Sequence, residues 1–106
     1  MNKINSKKLD WIEGKVKGFF GKTLLSLTNG GLKLIKVAPA AHYPEQIHPE
    51  KTEYAFVLER TPELIINAET YSGKVGDFFV FPINTKHSIV NKTDSNCVLL
   101  IGSIHK

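Results

Sequence analysis

The chain has 106 residues, 42% of them hydrophobic and 23% charged, with a formal net charge of +4. That length suits a single domain with one core and is too short for two full ones. No apolar run nears the roughly twenty residues that span a bilayer, and no apolar stretch follows the lysines of MNKINSKKLDWIEG, so a soluble protein without a secretory signal is expected, in the cytoplasm.

The positive charge is unevenly placed. Residues 1–36 hold eight lysines against Asp10 and Glu13, whereas the other seventy residues hold six basic groups against eight acidic ones. Arg60 is the only arginine, while phosphate and base recognition favours arginine forks. The lysines also alternate with apolar residues as those of a solvent face do, so a nucleic-acid partner is not expected.

In chain order, residues 1–10 read as a tail. LDWIEGKVKGFFGK reads as short glycine-broken turns anchored by Trp11, Ile12, Phe19 and Phe20. From Thr23 onward come short apolar or alternating runs: TLLSLT, GLKLIKVA, EYAFVLE, PELIINA, DFFVFP, HSIVN and NCVLLIGSI. Seven or more strands at intervals of about ten residues, with no amphipathic helix between them, predict an all-β antiparallel sandwich or small barrel. TNGG, NAET and KTDSN are read as hairpin tips, and Pro82 ends its strand because it cannot donate to a ladder. Cys97 is the only cysteine, which excludes a disulfide framework and reads as a buried core thiol.

Of the four histidines, His105 lies beside the C-terminus and His42 reads as structural, whereas His48 opens the run into EYAFVLE and His87 begins HSIVN. A lone histidine in a β-protein is more often a satisfied polar group than a ligand. Two at strand edges with Glu53 nearby narrow the choice. Strand alternation puts Gln46 and His48 on one face, and Glu53 returns to that face after the turn through Pro49 to Thr52. Two imidazoles and a carboxylate are a donor set for a divalent ion with open positions, suiting non-haem Fe(II) and also zinc. No Gly-x-Ser-x-Gly elbow supports a serine hydrolase, and GGLKLIK holds no phosphate-loop pattern.

GDFFVFPINTKHSIVN sets Gly76, Pro82, His87 and Asn91 at the spacing of the second motif of the cupin superfamily, which it resembles, with Asn84 standing where the family places a glycine. Asparagine accepts the same positive φ. EQIHPEKTEYAFVLER resembles the first cupin motif, with His48 and Glu53 in place, Gln46 at a histidine position and Arg60 at a glycine position. The resemblance covers roughly residues 22 to 104. It implies a cupin double-stranded β-helix, or jelly-roll barrel, over 22–104, preceded by an N-terminal tail and short anchoring turns or a strand over 1–21.

It also implies a metal at His48, Glu53 and His87, with Gln46 a weak neutral ligand or a hydrogen-bonding neighbour. The ion would be Fe, Mn, Ni or Zn, the partners a small-molecule ligand or substrate and a second copy in a homodimer. Two functions stay open. One is a metal-dependent enzyme, dioxygenase-like, isomerase or lyase, acting on a small oxygen-bearing molecule. The other is a non-catalytic module that binds or senses a small ligand with zinc or with no metal, similar to the cupin part of some anti-sigma factors.

Overall fold

The computed structural model describes residues 3–106, so Met1 and Asn2 of the expected tail lie outside the described residues. A 3-10 turn (Ser6–Lys8) precedes nine strands: β1 (Ile12–Glu13), β2 (Phe19–Leu27), β3 (Gly30–Val37), β4 (Lys51–Glu59), β5 (Glu63–Ile66), β6 (Glu69–Ser72), β7 (Phe78–Phe81), β8 (His87–Val90) and β9 (Cys97–His105). They form a six-stranded sheet in the order β1-β2-β3-β9-β4-β7 and a three-stranded sheet in the order β6-β5-β8. Every pairing is antiparallel, and the two sheets face each other as a jelly-roll barrel. Among the described residues no helix is long and apolar enough to cross a membrane.

Local chemistry explains the turns. Asn67 and Ala68 both take positive φ, 50° and 67°, as a two-residue turn between β5 and β6 requires. The β2–β3 hairpin uses its glycine differently. A Cβ at Gly30 would collide with the Ser103 carbonyl oxygen of β9, so glycine is needed there for close strand approach. KTDSN, expected as a hairpin tip, instead carries the chain from β8 in the small sheet to β9 in the large one. Asn91, fully buried, organises this crossing. Its Nδ2 donates to the Val37 and Ser95 carbonyls at 2.9 and 2.7 Å, and its Oδ1 accepts from the Thr93 amide and hydroxyl at 2.9 and 2.7 Å.

The register arranges the inner face of the large sheet in rows. Phe19, Val37 and Cys97 form the base, then come Gly21, Ile35, Leu99 and Val57, then Thr23, Lys33, Ile101, Ala55 and Phe79, and last Ser26, Gly31, Ser103, Glu53 and Phe81. Val37, Val57, Cys97 and Leu99 have no exposed surface, and Leu64 of the small sheet closes over them, also fully buried. Each such aliphatic side chain contributes roughly 1.5–3 kcal/mol of transfer free energy. Burial also raises the Cys97 thiol pKa, so the sulfur behaves as core. The last two rows contain glycine, serine and threonine, and with such small side chains the barrel does not fill.

Candidate metal centre

The unfilled end is a cavity of about 620 Å³. Phe19, Ile35, Tyr43, Phe81, Ile89 and Ile101 give it apolar walls, Gln46, Glu53 and His87 give it a polar side, and the segment from Leu9 to Val16 supplies a further wall. That N-terminal segment is tied down at several points. Ile12 and Glu13 pair with Gly21 and Phe20, Glu13 Oε2 accepts from the Gly18 amide at 2.9 Å, and Lys22 Nζ donates to the Ser6 carbonyl at 2.9 Å. The ammonium groups of Lys22 and Lys36 lie over the Trp11 ring, 4.6 and 4.9 Å from its centroid. Of the four expected anchors, Phe19 is buried and stacks edge-on against Tyr43. Ile12 is 71% exposed.

Glu53 lies in β4 on the inner face, directly beside Phe81 of β7. His87 opens β8 and stacks on Phe81, with ring centroids 4.4 Å apart and planes within 3°. Its Nδ1 lies 3.2 Å from the Thr85 carbonyl; a carbonyl can only accept, so Nδ1 carries hydrogen and Nε2 faces the cavity. His48 sits in the loop before β4. That loop is held by mutual backbone bonds of 2.9 Å between Gln46 and His87, and by the Asn84 amide donating to the His48 carbonyl at 2.9 Å. Asn84 has φ 62°, so asparagine does adopt the positive φ expected of it. Residues around Gln46 are not a regular strand. Gln46 makes an isolated bridge to His87, and it is this bridge that brings the two motifs together.

His48 Nε2 and His87 Nε2 stand 3.2 and 3.1 Å from the same atom, Glu53 Oε1. Gln46 Oε1 lies 3.1 Å from His48 Nε2. Donors at about 2.1 Å from a common tetrahedral ion stand roughly 3.4 Å apart, close to this spacing. A neutral His87 would aim its Nε2 lone pair at a carboxylate oxygen, an arrangement that needs a proton or a metal ion between them. The donor set therefore fits a divalent cation. Burial works to raise the Glu53 pKa; the His87 hydrogen bond, then the charges of Lys51, His48 and His87, outweigh it and hold the carboxyl below its ordinary range.

Other ionisable groups fall elsewhere. Glu50 Oε2 is 3.7 Å from His48 Nδ1, on the outer side of that ring. His42 is exposed and bridges Val90. His105 pairs with Lys51 at the end of β9 and lines a second cavity, of about 300 Å³.

Residues 33–102 match the family described as the cupin domain. The chain is a cupin. Its fold is similar to a predicted oxalate decarboxylase from Thermotoga maritima, with a TM-score of 0.89 and 18% identity over 97% of this cupin and 98% of that chain. It is similar to a sugar phosphate isomerase from Silicibacter pomeroyi, with a TM-score of 0.84 and 21% identity over 98% of this cupin and 76% of that chain. The Cnp3 cupin domain of Schizosaccharomyces pombe aligns with a TM-score of 0.87 and 14% identity, over 99% of this cupin and 74% of that chain. Among curated proteins none matches the sequence.

One cavity residue escaped the sequence-based expectation. Lys33 is exposed, as its assignment to a solvent face implies, but the register sets it in the inner row with Thr23 and Ile101 and it lines both cavities. The signal was its parity: Lys33 is two and four residues from Ile35 and Val37, which face the interior.

Proposed function

We propose that this cupin holds a divalent metal ion, Fe, Mn, Ni or Zn, through His48, Glu53 and His87 and presents its open positions to a small oxygen-bearing molecule in the adjoining cavity. The observation that carries this reading is the convergence of two imidazole nitrogens on Glu53 Oε1, at 3.2 and 3.1 Å, beside a cavity of about 620 Å³. Such an ion polarises a bound carbonyl, carboxylate or hydroxyl oxygen. His87 is oriented for this by Thr85 and Phe81. Gln46 lies beside the triad, where its amide orients water or ligand by hydrogen bonding. The names of two structurally similar proteins, a predicted oxalate decarboxylase and a sugar phosphate isomerase, concern small oxygen-rich molecules, in keeping with an enzyme of dioxygenase-like, isomerase or lyase type.

We also propose a homodimer through the outer face of the large sheet, where Phe78, Val80 and Ile104 are 58%, 46% and 58% exposed.

The test is metal content of the untagged protein after stripping and reconstitution with each of the four ions, beside His87→Ala and Gln46→Ala. One ion per wild-type chain is expected, with binding abolished in His87→Ala and weakened roughly ten- to hundredfold in Gln46→Ala. Wild type that stays substoichiometric with all four ions overturns the metal reading.

A further inference from the structure

We propose that Lys33 is the anion-recognising end of the cavity, and that its ligand is a small organic anion, a carboxylate or phosphate ester with an apolar body. This rests on the reading of the cavity as a small-molecule site and not on the presence of metal.

The backbone places Lys33 on the inner face of β3, opposite Thr23 on β2 and Ile101 on β9. Its side chain is exposed at the mouth that the two cavities share. A Cβ built on Gly21 would stand 3.5 Å from Ile35 Cδ1 and 4.0 Å from Lys33 Cδ. The Lys33 stem thus passes within ordinary contact distance of position 21, and a lysine lying over apolar neighbours presents its ammonium at the stem's end. The two cavities share Thr23, Lys33, Glu53 and Ile101, so this ammonium stands where they adjoin.

Its charge is uncommitted. Among the described residues Lys33 forms no ion pair: Glu53 pairs with Lys51 and Glu63 with Lys92. Asp10 and Glu13 lie on the N-terminal wall, and Glu13 already accepts from the Gly18 amide. Lys22 is also engaged, with Ser6 and Trp11. The cavity therefore combines the Lys33 ammonium, and on its N-terminal wall that of Lys15, also without an ion pair among the described residues, with apolar walls from Phe19, Ile35, Tyr43 and Ile89. Strand spacing puts the Lys33 and Glu53 backbones about 12 Å apart along the sheet, two strands over and one two-residue step along. One molecule can therefore reach the ammonium and the triad together. A neutral ligand would leave the ammonium unanswered; a carboxylate or phosphate would meet it with a charge-assisted hydrogen bond.

The test uses hexanoate, hexyl phosphate and their neutral counterpart hexanamide as probes. Binding is followed by amide chemical shifts in metal-stripped and in zinc-reconstituted full-length protein. Wild type is expected to bind at least one anion about tenfold or more tightly than hexanamide, with shifts at Gly21, Lys33 and Ile35. Lys33→Met should lose that preference at unchanged zinc content, and Lys33→Arg should keep it. Whichever anion shows the preference identifies the source, carboxylate or phosphate ester.

Equal binding of anion and amide by wild type overturns the proposal, as does no anion binding at millimolar concentration. So does a preference that survives in Lys33→Met or depends on Lys51→Met instead. Should Lys33→Met not fold, Lys33→Gln and the wild-type shift map decide the matter. Failure to bind zinc with the anion preference intact refutes the metal reading alone.

Discussion

Replacing Asn91 by alanine removes four hydrogen bonds from a site with no solvent access. The Thr93 hydroxyl, released from Asn91, turns to donate to Ser95 O, 2.9 Å away. Val37 O loses its Asn91 donor, and Val37 is fully buried. Net hydrogen-bond contributions of about 1 kcal/mol each, with one buried carbonyl left wanting, give a loss of about 4 kcal/mol. That is a large part of the roughly 5–15 kcal/mol that holds a domain of this size folded, and it corresponds to a fall in Tm of about 18 °C. Urea and thermal unfolding of the metal-free protein measure it. Asn91→Asp sharpens the test, because it keeps the acceptor for Thr93 but sets carboxylate oxygens against the Val37 and Ser95 carbonyls. It should be at least as damaging as alanine at neutral pH and should recover partly as acid protonates the new carboxyl. A loss below about 1 kcal/mol for alanine, or an aspartate variant as stable as wild type, would refute the role given to this side chain.

Three further outcomes are expected. Arg60 holds φ 63°, so Arg60→Gly should relieve about 1–2 kcal/mol of strain against an entropy cost of about 0.5–1 kcal/mol. The net gain of roughly 0.5–1 kcal/mol should raise the urea midpoint, and a lower one would contradict the strain. Glu53 has its pKa lowered in the folded protein, so its ionised form contributes stability above the ordinary carboxylate range, and that contribution disappears as pH falls through the lowered value. In EDTA, wild type should therefore exceed Glu53→Gln in stability at neutral pH by a margin that closes on acidification; a margin that widens would reverse the sign. For the proposed dimer, Val80→Lys should shift sedimentation from dimer to monomer, whereas a wild type that sediments as monomer at micromolar concentration rules the dimer out.

Much of the barrel was legible in the sequence because alternation reports a sheet with one buried face. DFFVFP reads so and folds so: Phe79 and Phe81 turn inward while Phe78 and Val80 remain exposed. β6 was missed for the same physical reason. Glu69, Thr70, Tyr71 and Ser72 are all exposed, so the strand rests on its hairpin with β5 and leaves no hydrophobic period. The path of KTDSN was illegible because long-range bonds from Asn91 decide it, and local turn chemistry does not. At the site, the spacing within each motif marked His48, Glu53 and His87, and the structure brings their ligand atoms within 4.8 Å of one another. The Gln46–His87 bridge that joins the motifs belongs to tertiary structure. Lys33 is exposed, as its charge suggests, and only its parity with Ile35 and Val37 reveals that it borders the cavities.

The barrel's packed base and open end have an evolutionary consequence. Val37, Val57, Leu64, Cys97 and Leu99 are fully buried at one end, while Thr23, Lys33 and Ser103 line the cavities at the other. Exchanging a residue of the second set disturbs few close-packed neighbours, so it costs the lineage little in folding. Selection can therefore rewrite what the mouth accepts while the base conserves the scaffold, and the two ends of one small barrel can be inherited at different rates.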